Sequence, residues 1–360
     1  MAELLKDMFN SESLREFALQ VQKAYPPFSV EKFLSSTMDE TWPELELKAR
    51  GRQITLNLAK YLPRDYPETI AICDQIAPNC SGFLAMVFSD FVEVFGQDEK
   101  YLDISIPALG RYTSYCSSEF AVRPFIINYE ERMMAQMYEW SKDESEHRRR
   151  LASEGCRPLL PWGQVLPKYK NDPSPILPIL EQLKADSSLY VRKSVANNLN
   201  DISKNNPDTV VKLAQKWYGK NKDTDWIVKH GCRTLLKKGN REVLTIFGYH
   251  DASEIEVTDF KLHTFNLGIG EELTFSFAIT AKEVTKVRLE YGIDYVKANG
   301  KRNRKIFQLS ELSLDGNKRK IYKRKQSFAD MTTRKHYPGE HTLTLFVNGM
   351  ERETANFHVK

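Results

Sequence analysis

The sequence predicts a multidomain protein: an all-α repeat solenoid followed by an all-β sandwich. Three observations lead there. Up to about His250 the apolar residues recur at helical spacing. Within that part a short motif echoes at a period near 37 residues. After about Ser253 the apolar period changes to two. At 360 residues the chain is too long for one ordinary core. The compact parts are expected at 1–250 and 253–360, with the boundary near Gly248–Ala252.

In the first part, Trp42-Pro43 opens a stretch through Leu62 in which Leu45, Leu47, Ala49, Ile54, Leu56, Leu58 and Ala59 alternate with polar residues. Asn128 with Glu131 three residues on reads as a capping box for a helix through Met133, Met137 and Trp140. Pro124, Pro158, Pro161, Pro167, Pro173 and Pro207 start or punctuate helices. The echo pairs Asp186-Ser-Ser-Leu-Tyr-Val-Arg192 with Asp223-Thr-Asp-Trp-Ile-Val-Lys229, their basic residues 37 apart. Ser117-Ser-Glu-Phe-Ala-Val-Arg123 is a weaker third copy. This period resembles the HEAT repeat, in which each helical hairpin must stack on its neighbours to bury its apolar face. The inner helices of such an array line a concave surface.

In the second part Glu254–Leu262, Glu272–Thr280 and Val284–Tyr291 alternate in the manner of half-buried strands. Leu343–Val347 leads into a turn at Asn348-Gly349, and Ala355–Val359 closes the chain. About 100 residues of such strands suggest an immunoglobulin-like sandwich, without the Cys pair of an antibody domain. The positive charge sits here. Residues 253–360 hold 19 Lys and Arg against 14 Asp and Glu, whereas the rest of the chain holds 33 against 34. Lys297–Lys325 alone carries 11 basic and two acidic residues. Such a stripe either attracts a polyanion or protects a strand edge.

Composition excludes several classes. No apolar run is long enough to suggest a membrane span. The amphipathic Met1–Phe9 does not read as a signal peptide. Cys73, Cys80, Cys116, Cys156 and Cys232 match neither a disulfide framework nor a zinc site and are expected as reduced core thiols of a cytoplasmic protein. There is no Gly-rich phosphate loop, no Cys/His ligand set and no Ser-His-Asp arrangement, so no cofactor is expected.

Three acids stand out. Glu119, Glu154 and Asp201 each lie in or beside a helical pattern with arginine nearby, and Trp162 follows the second. Each has a plainer reading: Glu119 as a cap with Ser117 and Ser118, Glu154 as an ion-pair partner of Arg150 or Arg157, Asp201 as a helix-surface residue. Converging in one groove, carboxylates beside an indole would suit a cation. A groove that only binds phosphates would keep carboxylates from its centre.

Four stretches go further: Ser117-Ser-Glu-Phe-Ala-Val-Arg-Pro-Phe125, Leu151-Ala-Ser-Glu-Gly-Cys-Arg-Pro158, Leu160-Pro-Trp-Gly163 and Val191-Arg-Lys-Ser-Val-Ala-Asn-Asn-Leu-Asn-Asp-Ile202. They closely resemble the AlkC-type DNA glycosylases, bacterial DNA alkylation repair enzymes built from HEAT-like repeats. A subset of that family carries a C-terminal immunoglobulin-like domain. The resemblance implies catalytic roles for Glu119, Glu154 and Asp201 and lesion contact by Trp162. It implies excision of 3-methyladenine and 3-methylcytosine from double-stranded DNA, by a monomer that bends the duplex without full base flipping. Candidate DNA contacts are Arg148, Arg149, Arg150, Arg157 and Arg192 in the helical part. In the β part they are Lys318, Arg319, Lys320, Lys323 and Arg324. The competing readings are a non-catalytic HEAT-repeat scaffold and a nucleic-acid-binding protein that cleaves no bond.

Overall fold

The computed structural model describes residues 5–80, 82–331 and 334–360. Of the amphipathic N-terminus, Met1–Leu4 lies outside the described residues, and Leu5–Met8 forms a 3-10 turn. Among the described residues every element before Ile255 is helical, and every longer element after it is a strand. No helix there is long and apolar enough to cross a membrane.

Local chemistry sets the helix starts. Asn10 and Ser13 form a reciprocal capping box on Ser11–Ala24. Asp65 caps Tyr66–Ile76, with a proline in its first turn. The capping box expected at Asn128 does not form. Asn128 is still the last residue of the helix Val122–Asn128, and its amide donates to Gln97 Oε1 at 3.0 Å. The next helix, Glu130–Trp140, starts after Tyr129 with no side-chain cap. The central helix is Leu189–Asn205. It packs on Glu146–Gly155 and on Lys222–Gly231, and ten of its residues are buried.

The strands are β1 (Ile255–Leu262), β2 (Asn266–Leu267), β3 (Glu272–Ala281), β4 (Thr285–Val296), β5 (Arg302–Leu314), β6 (Lys320–Ser327), β7 (Gly339–Val347) and β8 (Met350–Val359). They form a three-stranded sheet, β1-β3-β6, and a five-stranded sheet, β2-β8-β7-β4-β5. Alternate side chains from both sheets share one core, where Phe275 of β3 meets Tyr291 of β4 with ring centroids 5.2 Å apart. The basic stretch Lys297–Lys325 supplies the edge strands β5 and β6.

The chain divides into two compact units, 1–206 with 219–231, and 207–218 with 232–360. The second unit thus takes in helices before residue 250 as well as the strands. Specific contacts within that unit explain the grouping. Lys286 Nζ on β4 donates to the Phe247 carbonyl at 2.7 Å. Asn348 Nδ2 donates to the His250 carbonyl at 3.0 Å, while its Oδ1 accepts from the Arg288 amide at 2.8 Å. The Asn348-Gly349 turn has φ of 47° and 75°, as a tight hairpin turn of this type requires. A Cβ on Gly349 would lie 2.7 Å from the Gly239 Cα, so the two backbones pass too closely for a side chain. Gly349→Ala combines that clash with a left-handed backbone and is expected to destabilise the protein by about 2 kcal/mol. A urea unfolding midpoint equal to the wild type's would contradict this account of the turn.

Candidate active site

Glu119, Glu154 and Asp201 come together through arginine. Glu119 lies in the turn before Val122–Asn128. Glu154 is in the last turn of Glu146–Gly155, and Asp201 is in the central helix Leu189–Asn205. Ser117 Oγ donates to Glu119 Oε2 at 2.7 Å, and Arg150 Nη1 donates to the same carboxylate oxygen. Arg150 Nη2 lies 3.5 Å from Glu154 Oε1. Arg157 Nη1 donates to that Glu154 oxygen at 2.6 Å, and Arg157 Nε donates to Asp201 Oδ2 at 2.8 Å. Lys204 Nζ completes the row on Asp201 Oδ1 at 2.8 Å. Acid and base alternate through six residues, so the row is neutral as a whole.

The row is largely dry. Asp201 is 2% exposed and Glu154 5%. Burial pushes the Arg150 and Arg157 guanidiniums down, but their carboxylate neighbours outweigh it and hold both above the ordinary value. Lys204 differs, for its side chain is 41% exposed. Among the described residues Glu119 Oε1 and Glu154 Oε2 receive no side-chain donor, so each carboxylate keeps one oxygen for another partner. The nearby thiols are not nucleophiles: burial pushes Cys116 up to about 11 and Cys156 up to about 12.

Trp162 stands on the loop that follows Arg157. It is 73% exposed and has φ of 61°, a left-handed backbone that a bulky residue rarely adopts. Several bonds impose that shape. Gly163 N donates to the Leu160 carbonyl at 3.1 Å, and Leu166 N to the Pro158 carbonyl at 3.2 Å. Lys48 Nζ donates to the Trp162 carbonyl itself at 3.0 Å. Arg123, fully buried, donates to the Gln164, Gly155 and Arg157 carbonyls, tying the loop to the end of the Glu154 helix. Burial pulls the Arg123 pKa down to about 10, so it stays charged at neutral pH. A Cβ at position 163 would come within 2.9 Å of Leu160, so glycine follows the tryptophan. Trp162 thus combines a strained backbone with an indole left in solvent.

The basic candidates divide into three groups. Arg150 and Arg157 belong to the charge row. Arg148 donates to the Gly110 carbonyl and to Asp143, both at 2.9 Å. Arg149 is paired with Asp186 at 2.7 Å, and Arg192 donates to the Asp186 and Ser187 carbonyls at 2.8 Å. Arg148 and Arg149 thus tie separate helices together, Arg192 holds the turn before its own helix and reaches Asp223 at 3.4 Å, and none of the three joins the acids. In the β part Lys318 pairs with Asp315 and Arg319 with Asp259. Lys320 and Arg324 flank the Tyr322 ring, while Lys323 and Arg324 are exposed on the β6 edge with no carboxylate partner among the described residues. Sequence reasoning missed Arg123, Lys48 and Lys204. Lys204 was legible as Asp201 plus three on a helix; the other two act across long sequence separations and left no local signal.

Comparisons with known proteins converge on one class. Residues 114–237 match the family described as DNA alkylation repair enzyme. Residues 256–360 match the C-terminal Ig-like domain of the family described as uncharacterised protein YhaZ. The uncharacterised YhaZ of Bacillus subtilis (strain 168) is 48% identical over 355 residues, 99% of each chain. The solved structure of the Pseudomonas fluorescens alkylpurine DNA glycosylase AlkC, bound to DNA containing an abasic site analogue, matches with a TM-score of 0.95. It is 38% identical, over 99% of this chain and 100% of that one. A helical alkylation-repair part and an Ig-like part thus make up one chain. The chain belongs to the AlkC-type family of DNA alkylation repair enzymes that carry a C-terminal Ig-like domain.

Arg157 bridges two buried carboxylates, so its removal leaves Glu154 with only Arg150 at 3.5 Å and Asp201 with only Lys204 at 2.8 Å. Arg157→Met is expected to cost about 3–5 kcal/mol of stability at neutral pH. Denaturant unfolding measures it, and a loss below 1 kcal/mol would mean that the row is not a buried ion network.

Proposed function

We propose that this protein is a DNA glycosylase that excises cationic N3-alkylated bases, 3-methyladenine and 3-methylcytosine, from double-stranded DNA. The observation that carries the reading is the row Glu119–Arg150–Glu154–Arg157–Asp201–Lys204, with its acids preorganised and mostly buried. The 38% identity to a DNA-bound alkylpurine glycosylase supports it. On this reading residues 1–250 form a HEAT-like glycosylase domain and residues 253–360 contact DNA. Ion pairs such as Arg111–Asp74 and Arg149–Asp186, each 37 residues apart, suit stacked repeats of that length.

The chemistry follows from the charges. Alkylation at N3 places a positive charge on the base and weakens its bond to C1′. Departure returns the bonding electron pair to the base and neutralises it, so no acid is needed to protonate the leaving group. The sugar becomes oxocarbenium-like, and carboxylates fixed beforehand stabilise that charge without reorganising. Water then adds to C1′ and gives its proton to a carboxylate, as in sugar hydrolysis. Glu154 and Asp201 flank the bond, Glu119 supports the same charge, and the Trp162 indole leans on the lesion. The duplex bends to bring the base to this exposed loop, without full rotation of the nucleotide into a pocket.

Lys204 has a part in this. Its ammonium lies on Asp201 Oδ1, and its side chain is the most exposed of the three cations in the row. A DNA phosphate draws it away and frees Asp201 Oδ1.

Two experiments test the reading. Asp201→Asn should lower release of 3-methyladenine from methylated duplex DNA by more than about tenfold while the protein stays folded. Wild-type turnover by that variant would remove Asp201 from the mechanism, and no release by either protein would favour the scaffold or the non-cleaving binder. Salt dependence tests the phosphate contacts. Lys204→Met should reduce the slope of log affinity against log salt by about one, and Lys323→Met with Arg324→Met by about two. Unchanged slopes would exclude these contacts.

A further inference from the structure

Beside the charge row, and sharing Glu119 with it, lies a cleft of about 290 Å³ to which the mechanism above assigns no ligand. Its walls come from the helices Leu47–Tyr61 and Met86–Phe95 and from the turn that carries Glu119. Phe83, Met86 and Phe120 supply apolar faces, and Glu93 and Glu119 supply carboxylates. The volume is roughly that of ten waters, room for one planar bicyclic base. Apolar faces with a few polar groups at the rim are what a small flat heterocycle requires.

Two contacts connect this cleft to the chemistry. Glu119 belongs to both, giving one oxygen to Ser117 and Arg150 and leaving the other without a side-chain donor among the described residues. Lys48 sits 4.1 Å from the Phe120 ring centroid and also holds the Trp162 carbonyl at 3.0 Å, so one side chain joins the cleft wall to the indole loop. At the far side Arg52 bonds Asp90 and Glu93, in each case at 2.8 Å. Only Glu93 Oε1 takes part there, so the second oxygen remains available. Burial raises the Glu93 pKa while Arg52 pulls it back, leaving it above its ordinary value and better able to share a proton with a ring nitrogen.

We propose that this cleft is a receiving site for the excised base, a free N-alkylated purine such as 3-methyladenine. This rests on the glycosylase reading. The freed base is neutral and carries an exocyclic amine whose N–H groups can donate to the carboxylates of Glu119 and Glu93 that line the cleft. Drawing the base aside separates it from C1′ and opens the sugar to water. The site therefore holds the base after the bond breaks, consistent with access by bending rather than flipping.

The test is equilibrium dialysis of the full chain with labelled 3-methyladenine as the probe. Wild type is expected to bind it saturably. Ala49 is exposed at the mouth of the cleft, so Ala49→Phe fills the space without entering the core, and it should weaken binding at least about tenfold. Glu93→Gln keeps the shape, changes the hydrogen bonding and should weaken binding severalfold. Both variants are checked for a wild-type unfolding midpoint. No saturable binding by wild type, or equal affinity in both folded variants, overturns the proposal. Base release by the same wild-type preparation separates the two claims. Release without binding sinks the receiving site alone, whereas binding without release removes the glycosylase reading and the receiving role with it, leaving only a purine-binding cleft.

Discussion

Six alternating charges from Glu119 to Lys204 run through the helical part, and the surrounding structure is arranged to keep them in place. Buried charges are tolerated only when paired and hydrogen-bonded. Here each interior acid is held by arginine, whose planar fork can serve two carboxylates at once. Arg157 spans Glu154 and Asp201, and Arg150 spans Glu119 and Glu154. Three segments far apart in sequence are thereby fixed relative to one another. Fixed carboxylates are useful to a reaction that makes a cation, because their dipolar cost is met on folding and not during the chemical step.

The same constraint explains Trp162. The loop after Arg157 is anchored at both ends by Arg123, which is buried and satisfied by three carbonyls. Lys48 pins the strained residue from another helix. An indole that would gain by burial is instead held outward, on the loop that follows Arg157. The protein accepts a left-handed tryptophan, a cost of roughly 1–3 kcal/mol, to hold that indole in solvent.

Much of this was legible in the sequence. The change of period near residue 250 gave a helical part and a β part, and the Asn348-Gly349 turn formed where the dipeptide marks it. The basic run became two edge strands, which also explains why it tolerates so many lysines. The acids were visible as candidates, and the i,i+3 and i,i+4 partners of Glu154 and Asp201 lay in plain spacing. What the sequence hid is long-range. Arg149 looks like a surface cation but is used on Asp186, 37 residues away, and nothing local distinguishes it from Arg157. Asn128 satisfied the capping pattern yet bonds Gln97, because the preceding helix runs one residue further. Residues 207–218 and 232–250 read with the helical part but group with the strands, through contacts such as Gly239 on Gly349 that no periodicity reports.

Whether the row stabilises positive charge on the sugar is read most directly by comparing affinity for two duplexes, one with a cationic azasugar at the abasic position and one with a neutral tetrahydrofuran. The wild type should prefer the cationic duplex by more than about tenfold, and Asp201→Asn should lose most of that preference while binding the neutral duplex as before. Equal affinity of the wild type for both duplexes would contradict that stabilisation.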